Sequence, residues 1–240
     1  MSNLDHLFEE LVTANRILAK QGIVDSFGHC SVRHPDNPKH YLLSRARAPE
    51  RIETADIMEL TLEGDPVDAR GRRPYLERFI HGAIYEQRPD VQAVVHNHSP
   101  GVIPFGITGK KLKPIMHMCA TIGHEVPIWD QHKKFGDTNL LVESMAMGRD
   151  LAKTLGKGRT ALMRGHGSIV VGKELRATIY TAIYLELNAR LQMQAMGMGK
   201  IKFLTKGEVD KVAATTTPPL INRAWENWCR HADRPYREQD

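Results

Sequence analysis

The sequence predicts an α/β fold in which a mixed β-sheet lies between helices. Segments with helical spacing of apolar residues alternate with short apolar runs that are typical of strands. Two pairs of these runs look like antiparallel hairpins, which argues against a purely parallel sheet. The 240 residues contain no internal repeat and no clear linker. We therefore expect one domain over residues 1–240, with a C-terminal tail from about residue 197.

The first half of the chain contains two predicted helices, three predicted strands and one helical turn. The first helix rests on apolar residues at helical spacing, and the second has Pro74 near its first turn, where proline is tolerated. The two strands after the first helix flank the turn residues 35–38. The elements are a helix at 4–20, strands at 28–33 and 40–44, a capped turn at 54–57, a helix at 75–87 and a strand at 91–98.

The second half contains further helices and strands around a Gly-His-Gly sequence at 165–167. Short β-like runs flank this sequence, and its glycines suit a tight turn. A long helix follows, and the tail contains one apolar helical segment. The elements are a helical segment from 99, one or two short strands within 114–129, a helix at 140–155, strands at 160–163 and 168–171, a helix at 175–196 and a helix around 220–228.

The composition is that of an ordinary globular protein, with 41% hydrophobic and 25% charged residues. No apolar run approaches the roughly 20 residues that a membrane-spanning helix needs. The first five residues are polar and acidic, unlike a secretory signal. The three cysteines are an odd number without paired spacing, and they predict free thiols in a reducing cytoplasm.

The formal net charge of +5 is compatible with two kinds of partner. Nucleic acid is one, but the basic residues are scattered, the aromatic content is 6%, and no recognition motif is present. A small anionic substrate explains the charge equally well. We therefore expect a small anionic substrate as the partner, and neither nucleic acid nor a membrane.

Two histidines end one of the apolar strands. His96 and His98 are two residues apart, so their side chains point to the same face of the strand. Two imidazoles on one face of a rigid strand can share a metal ion. His166 lies far downstream beside another predicted strand and offers a third imidazole, and such a set suits manganese, zinc, iron or cobalt. The alternative is that these histidines only mark a strand end and a tight turn.

Glu77 lies in the first turn of the helix that precedes the His96 strand. A helix that returns into a strand brings its first turn back near the end of that strand. We therefore expect Glu77 to lie near His98 and to be able to approach the metal. The alternative is a solvated glutamate that complements the helix dipole.

One joint pattern is spread over three stretches: Pro74-x-x-Glu77-x-x-x-His81, then Arg88-Pro89-Asp90-x-x-Ala93-Val94-Val95-His96-x-His98, then His166-Gly167. In order and spacing it resembles the class II aldolase/adducin family, over roughly residues 4–194. The resemblance implies a three-layer α/β/α sandwich with a mixed central sheet, assembled as a homotetramer in which a neighbouring subunit completes each active site. It also implies that His96, His98 and His166 bind a divalent metal, and that Glu77 is the acid/base.

The chain departs from the sugar-phosphate members of that family at the positions where they hold phosphate. Gly28-His29, Arg45-Ala46 and Tyr75-Leu76 stand where those members have Gly-Asn, Ser/Thr-Gly and Ser-Ser. Glycines and small hydroxyl residues let backbone amides wrap a phosphate, whereas arginine pairs bidentately with a carboxylate. We therefore expect a planar substrate that carries carboxylates.

Two further stretches, Gly28-His29-x-Ser31-Val32-Arg33 and Leu43-Ser44-Arg45-x-Arg47-Ala48-Pro49, are similar to a decarboxylase branch of the family. The resemblance implies a metal-dependent decarboxylase of a hydroxylated aromatic dicarboxylate. The expected substrate is 3-hydroxy-2-methylpyridine-4,5-dicarboxylate, of vitamin B6 breakdown, or a dihydroxyphthalate. In this interpretation Ser44, Arg45 and Arg47 bind the substrate, with Arg45 on the second carboxylate, and Glu77 or His29 donates a proton to the ring.

Three alternatives stay open, in descending order. A sugar-phosphate aldolase, epimerase or dehydratase on the same fold would bind phosphate near Gly28 and Arg45. A non-catalytic, adducin-like interaction module would be expected to lack the three histidines. A nucleic-acid binder would show salt-dependent retention on heparin or DNA.

Overall fold

The computed structural model describes residues 3–238, and a seven-stranded sheet crosses this part of the chain. The strands are β1 (His29–Arg33), β2 (His40–Ser44), β3 (Ile57–Thr61), β4 (Ala93–Asn97), β5 (Ile128–Trp129), β6 (Thr160–Met163) and β7 (Gly167–Gly172). They lie in the order β3-β2-β1-β4-β7-β6-β5. All neighbours pair antiparallel except β5 and β6, which are parallel, and this confirms the predicted mixed sheet.

The helices are interspersed with the strands along the chain. They are α1 (Asn3–Lys20), α2 (Arg78–Gln87), α3 (Ile103–Thr108), α4 (His132–Phe135), α5 (Met145–Leu155), α6 (Leu175–Met198), α7 (Lys206–Thr215) and α8 (Pro218–His231). Short 3-10 helices lie at Pro49–Arg51, Thr54–Asp56 and His117–Ile122. Among the helices of residues 3–238, none has both the length and the apolar character needed to cross a membrane.

Helices cover both faces of the sheet. On one face, α1, α6 and α8 pack around buried strand residues such as Val32, Val95 and Val170. On the other face, α2 and α5 pack around Val94 and Ile169. Val94 and Val95 are consecutive in β4 but enter different cores, because successive strand side chains point to opposite faces. The result is the expected three-layer α/β/α sandwich.

The strand β3 has no counterpart among the predicted elements. The helical turn predicted at 54–57 is the 3-10 helix Thr54–Asp56, which ends where β3 begins. β3 lies at one edge of the sheet, and β2 is its neighbouring strand there. An edge strand accommodates polar residues, and Glu59 of β3 accepts a hydrogen bond from the His40 ring of β2 at 2.5 Å. A polar residue in the middle of a short apolar run conceals such a strand in the sequence.

Several predicted elements begin later than expected. α2 begins at Arg78 rather than at 75, and Glu77 occupies its N-terminal cap position. α5 begins at Met145 rather than at 140, because the Ser144 hydroxyl caps it by accepting from the Met147 amide at 3.3 Å. The helical segment expected from 99 starts at Ile103 as α3, and residues 114–129 contain a 3-10 helix and the single short strand β5.

The tail from about residue 197 contains two helices rather than one. α8 includes the predicted segment 220–228, and its Trp225 and Trp228 are buried in the same core as α1 and α6. α7 was not predicted, although Thr205 and Glu208 form a capping box at its start. Its mostly exposed residues give it no clear apolar stripe, so periodicity does not reveal it.

Candidate metal centre and active site

The three predicted metal ligands converge at one end of the central strands. His96 lies in β4, His98 directly follows it, and His166 lies in the turn between β6 and β7. Gly167 allows this turn to approach β4, since a Cβ atom there would lie 2.1 Å from the Asn97 carbonyl oxygen. The glycine next to His166 thus serves the close approach of two strands, and so brings the third imidazole to the other two.

The donor atoms of four side chains face one another. The Nε2 atom of His98 lies 3.1 Å from that of His96 and 3.0 Å from that of His166. The Oε2 atom of Glu77 lies 3.4 Å from the His96 Nε2 atom and 3.5 Å from the His166 Nε2 atom. An ion bound tetrahedrally at about 2.0–2.1 Å separates its ligand atoms by roughly 3.3 Å. These four side chains therefore have the spacing of a set that could hold a metal ion.

The hydrogen bonding of the histidines also fits a cation. The Nδ1 atom of His96 donates to the Ser168 carbonyl oxygen at 3.2 Å, and in the neutral form of this ring the Nε2 atom carries the lone pair. Lone pairs that face one another at such short distances repel unless a proton or a cation lies between them. Burial, followed by the charges of His96 and His166, lowers the pKa of His98 to about 4. Since His98 is neutral near pH 7, a divalent ion suits the cluster better than a proton.

Glu77 lies beside these ligands, as the helix-to-strand return predicts, and it is buried rather than solvated. Its Oε1 atom accepts a hydrogen bond from the Val142 amide at 3.0 Å, while Oε2 faces His96 and His166. Burial raises the pKa of this carboxyl group, but the two histidines outweigh burial and hold the pKa well below its ordinary value. Glu77 is therefore a carboxylate, and its negative charge suits it to binding a cation.

His29 lies directly opposite His96 in the β1–β4 pair, so both side chains are on one face of the sheet. The two ring centroids are 5.1 Å apart. On its other side, the Nδ1 atom of His29 lies 2.6 Å from the Nε2 atom of His81 in α2. Burial is the main cause that lowers the pKa of His29 well below its ordinary value. We call Glu77, His96, His98 and His166 the ligand cluster. The structure places the neutral ring of His29 next to this cluster.

Three buried polar residues behind His29 have no predicted role. The Nδ1 atom of His81 lies 2.5 Å from the Ser31 Oγ atom, which lies 2.8 Å from the Tyr85 hydroxyl. Glu77, His81 and Tyr85 are four residues apart, so they follow one side of α2 and face His29 and Ser31 on β1. The sequence signal that identifies this group is a polar series at helical spacing opposite two polar residues at strand spacing.

The two predicted substrate-binding arginines share one buried carboxylate. Arg45 donates from Nε to the Oδ1 atom of Asp56 at 2.5 Å, and Arg47 donates from Nη1 to its Oδ2 atom at 2.6 Å. Burial opposes ionisation of Asp56, but the two arginines outweigh it, and the pKa of Asp56 lies below its ordinary value. The Arg45 side chain stays 39% exposed, and its two Nη groups have no hydrogen-bond partner within residues 3–238. Asp56 is a partner that sequence reasoning missed.

Tyr75 connects the arginine loop with His29. Its hydroxyl donates to the Arg47 carbonyl oxygen and lies 3.5 Å from the Ser44 Oγ atom. Its ring centroid lies 4.5 Å from that of His29. Ser44 is buried and its hydroxyl bonds to Tyr75, so its contact with the site passes through Tyr75.

The chain matches a family model, the sequences of characterised proteins and solved structures. A family model described as Class II Aldolase and Adducin N-terminal domain matches residues 9–193. The chain is 31% identical to Decarboxylase tropJ of Talaromyces stipitatus, over 92% of each chain. It is 28% identical to 3,4-dihydroxyphthalate decarboxylase of Arthrobacter keyseri, over 80% of this chain and 79% of the relative. A solved aldolase II superfamily protein from Pseudomonas syringae superposes with a TM-score of 0.80 at 22% identity, over 97% of this chain and 94% of that one.

The matched range includes every residue of the ligand cluster, as well as His29 and the arginine loop. The family model covers well over half of the chain, and the similarity to Decarboxylase tropJ extends over nearly all of it. The chain therefore belongs to the class II aldolase and adducin family, and within it to the branch that contains these decarboxylases.

Proposed function

We propose that this protein is a divalent-metal-dependent decarboxylase, a carbon–carbon lyase that acts on a hydroxylated aromatic acid. The observation that carries the proposal is the convergence of Glu77, His96, His98 and His166. The two decarboxylase relatives support the type of reaction. When bound, a divalent ion, Mn²⁺ or Zn²⁺ in the first place, supplies a Lewis acid that stabilises the electrons left on the ring as carbon dioxide departs.

Glu77 moves the proton in this proposal. As a carboxylate it accepts the proton of the substrate's hydroxyl group, and it delivers that proton to the ring carbon that bears the scissile carboxylate. The bond to the carboxylate then breaks, its electrons return to the ring, and carbon dioxide leaves. Water supplies the proton that restores the hydroxyl group. The Val142 amide holds Oε1, which keeps Oε2 directed at the site throughout.

The surroundings of the cluster favour a planar anionic substrate. The Tyr75 ring beside His29 offers a flat border for an aromatic ring. The two free Nη groups of Arg45 match a carboxylate, and Asp56 orients this guanidinium through Nε. We assign to Arg45 the carboxylate that is retained. Arg47 and Ser44 then contribute by holding Asp56 and Tyr75 in place.

We propose 3-hydroxy-2-methylpyridine-4,5-dicarboxylate or a dihydroxyphthalate as the substrate. The pyridine compound and 3,4-dihydroxyphthalate both carry a hydroxyl group next to one carboxylate and a second carboxylate beyond it. The first carboxylate is the one that leaves, and the second is the one for Arg45. The relative from Arthrobacter keyseri is named for a dihydroxyphthalate, which supports the second of these compounds.

The test compares hydroxylated aromatic dicarboxylates with their deoxy analogues in the metal-loaded protein, with and without a chelator. We expect carbon dioxide release only when the hydroxyl group and the metal are both present, because stabilisation by both grows as charge develops. Fuculose phosphate is the rival substrate. Cleavage of the sugar phosphate without decarboxylation of any aromatic acid would replace this proposal with an aldolase. Absence of both reactions in the metal-loaded protein would refute the proposed chemistry and leave the fold and the metal site in place.

We also propose that residues 1–240 form one domain. Four copies of this domain assemble, in our proposal, into a homotetramer with active sites near subunit interfaces. Two large apolar side chains close to the site in sequence are exposed in the single chain, Phe27 at 66% and Leu76 at 60%. A neighbouring subunit would cover such side chains. Light scattering at micromolar concentration is expected to give four times 27.1 kDa, and a species of 27.1 kDa would exclude a role for a partner subunit.

The cytoplasm is the compartment that we propose for this reaction. The thiols of Cys30, Cys119 and Cys229 are free and buried. Burial raises the pKa of the Cys229 thiol to about 11, so this group is an unreactive thiol at neutral pH. Free structural thiols of this kind are usual in a reducing compartment.

A further inference from the structure

We infer that a buried hydrogen-bond chain holds His29 in the neutral tautomer with its hydrogen on Nε2, which makes His29 a fixed hydrogen-bond donor to an oxygen of the anionic substrate. The inference deepens the proposed function and rests on it for the class of ligand. The chain is formed by His29, His81, Ser31 and Tyr85, none of which is more than 3% exposed. We call this set the buried relay.

Three contacts join the buried relay in a row. The Nδ1 atom of His29 lies 2.6 Å from the Nε2 atom of His81, and the Nδ1 atom of His81 lies 2.5 Å from the Oγ atom of Ser31. The Ser31 Oγ atom lies 2.8 Å from the Tyr85 hydroxyl oxygen. At these separations each contact holds one hydrogen between two heavy atoms, because two lone pairs or two hydrogens would repel.

The Tyr85 hydroxyl, at the inner end of the row, decides which atom donates and which accepts in each hydrogen bond. Within residues 3–238 the Tyr85 hydroxyl has one hydrogen-bond partner, the Oγ atom of Ser31, so its hydrogen has one acceptor. The hydrogen of Ser31 then has one acceptor left, the Nδ1 atom of His81. Any other arrangement leaves the hydrogen of Tyr85 or Ser31 buried without an acceptor. An unpaired buried donor forfeits its hydration without replacement, so the first arrangement is favoured.

The positions of the two remaining hydrogens follow. Because the Nδ1 atom of His81 accepts, the single hydrogen of its neutral ring is on Nε2 and donates to His29. Because the Nδ1 atom of His29 accepts, the hydrogen of its ring is also on Nε2. Burial is the main cause that lowers the pKa of His81 to about 3, so this ring is neutral at pH 7. His29 therefore presents an N–H group on the side of its ring away from His81.

The ring that carries this N–H group lies beside the ligand cluster. His29 and His96 are register partners on one face of the sheet, with ring centroids 5.1 Å apart. A carboxylate or a deprotonated hydroxyl group offers only lone pairs, so a donor that cannot turn into an acceptor binds it selectively. His81, Ser31 and Tyr85 do not touch the substrate in this account. They are positioning residues that act through His29.

The buried relay also prevents His29 from giving its hydrogen away. A hydrogen lost from Nε2 would have to be replaced along the row, which would leave the negative charge on Tyr85. Burial raises the pKa of Tyr85 well above its ordinary value, so this charge is unfavourable. His29 therefore donates a hydrogen bond and keeps its proton, while Glu77 delivers the proton to the ring.

The tautomer is tested by solid-state nitrogen-15 NMR of zinc-loaded protein labelled in histidine, with signals assigned from the His29→Gln and His81→Gln variants. We expect both rings to carry hydrogen on Nε2 and a lone pair on Nδ1. Hydrogen on the Nδ1 atom of His29 would overturn the inference. This measurement needs no turnover, so it stands even where the proposed reaction fails.

Contact with the ligand is tested in the same samples with phthalate, a dicarboxylate that lacks the hydroxyl group. We expect phthalate to shift the Nε2 signal of His29 and to leave that of His81 in place. A His29 signal that does not move on addition of phthalate would overturn the role of His29 as a donor to the substrate, whatever its tautomer.

The relay itself is tested by kinetics of Ser31→Ala, with Ser31→Thr as the variant that keeps the hydroxyl. Removing the donor to His81 should raise KM about five- to tenfold and change kcat by less than about twofold, because the lost contact is equal in ground and transition states. Ser31→Thr should restore KM. Tyr41→Phe is the matched control, since its buried hydroxyl bonds to the Arg78 carbonyl at 3.0 Å outside the relay.

A fall in kcat with unchanged KM in Ser31→Ala would overturn the inference, because it would mean that His29 transfers its proton in the reaction. An equal effect of Tyr41→Phe would also overturn it, since the cause would then be general packing around the aromatic side chains. If no hydroxylated aromatic acid reacts in the wild-type protein, the proposed function fails and the tautomer measurement still decides the relay.

Discussion

Two groups of histidines lie side by side on one face of the sheet and have opposite surroundings. Among the histidines of the ligand cluster, His96, His98 and His166, neighbouring Nε2 atoms face each other at 3.0–3.1 Å, and the His96 ring is backed by the Ser168 carbonyl. In the buried relay, the Ser31 hydroxyl backs the His81 ring, and the His81 ring in turn backs the His29 ring. A carbonyl behind a ring leaves a lone pair at its front, and a hydroxyl leaves a hydrogen.

For His96 and His29, the partner of the second ring nitrogen decides what the first nitrogen can bind. Lone pairs at the front of a ring attract a cation, and a hydrogen at the front attracts an anion. The two groups are adjacent because His29 and His96 are register partners. One small region thus offers lone pairs for a metal cation and an N–H group for the anionic substrate bound to it. Substitutions in each group should therefore have distinct effects on metal content, kcat and KM.

The largest effect is expected from the double variant His96→Ala and His98→Ala. Loss of two imidazoles should remove the metal and reduce kcat/KM by about a thousandfold or more, because the Lewis acid is lost. Elemental analysis and kinetics measure both changes. His132→Ala, whose side chain is 57% exposed and pairs with Asp137, is the control and should keep metal and activity. Full metal occupancy in the double variant would refute the ligand assignment.

Glu77→Gln tests whether the carboxylate in the cluster moves a proton in addition to facing the metal. We expect kcat to fall by about 10²–10⁴, the range for loss of a general acid–base group, while the three histidines retain metal. Metal content is measured beside the kinetics. Glu143→Gln, at an exposed glutamate in the loop before α5, is the control. A metal-loaded Glu77→Gln protein with unchanged kcat would remove Glu77 from proton transfer.

Arg45→Ala extends the comparison to the second carboxylate of the substrate. We expect KM for an aromatic dicarboxylate to rise by about ten- to a hundredfold with kcat nearly unchanged, because a charge-assisted hydrogen bond is lost equally in ground and transition states. Steady-state kinetics measure the split, and Arg70→Ala, at a 75% exposed arginine paired with Asp68, is the control. An unchanged KM would transfer the role to Arg47.

The smallest effect is expected from the pH dependence of stability at Asp56. Its pKa in the folded protein lies below the unfolded value of about 3.9, so its pairs with Arg45 and Arg47 stabilise the fold fully above that value. This stabilisation is lost as pH falls through the folded pKa. Urea unfolding between about pH 6 and about pH 3 should show a steeper loss for the wild type than for Asp56→Asn. Asp137→Asn, at a fully exposed aspartate, should follow the wild type, and parallel curves for Asp56→Asn would contradict the assignment.

The ligand cluster was largely predictable because its signals are local. Side-chain alternation along β4 places His96 and His98 on one face, and this follows from the strand alone. The position of Glu77 follows from the return of a helix into the next strand. The mixed sheet followed from the predicted hairpins, while the family pattern implied the third ligand, His166. The signals for His96, His98, Glu77 and the sheet lie within short segments or in the order of neighbouring elements, whereas the family pattern that implies His166 extends from Pro74 to Gly167.

The buried relay and the arginine pair were decided by tertiary structure. His81 and Tyr85 could equally be core residues of α2, and only the register of β1 beneath that helix brings Ser31 and His29 to them. Asp56 meets Arg45 because their neighbours, Ser44 and Ile57, are register partners of β2 and β3, and β3 is a strand that the sequence pattern does not reveal. Alternation and helical spacing are properties of single elements and can be read from the sequence. Which nitrogen of a histidine is free depends on contacts between elements, and the packed fold alone determines them.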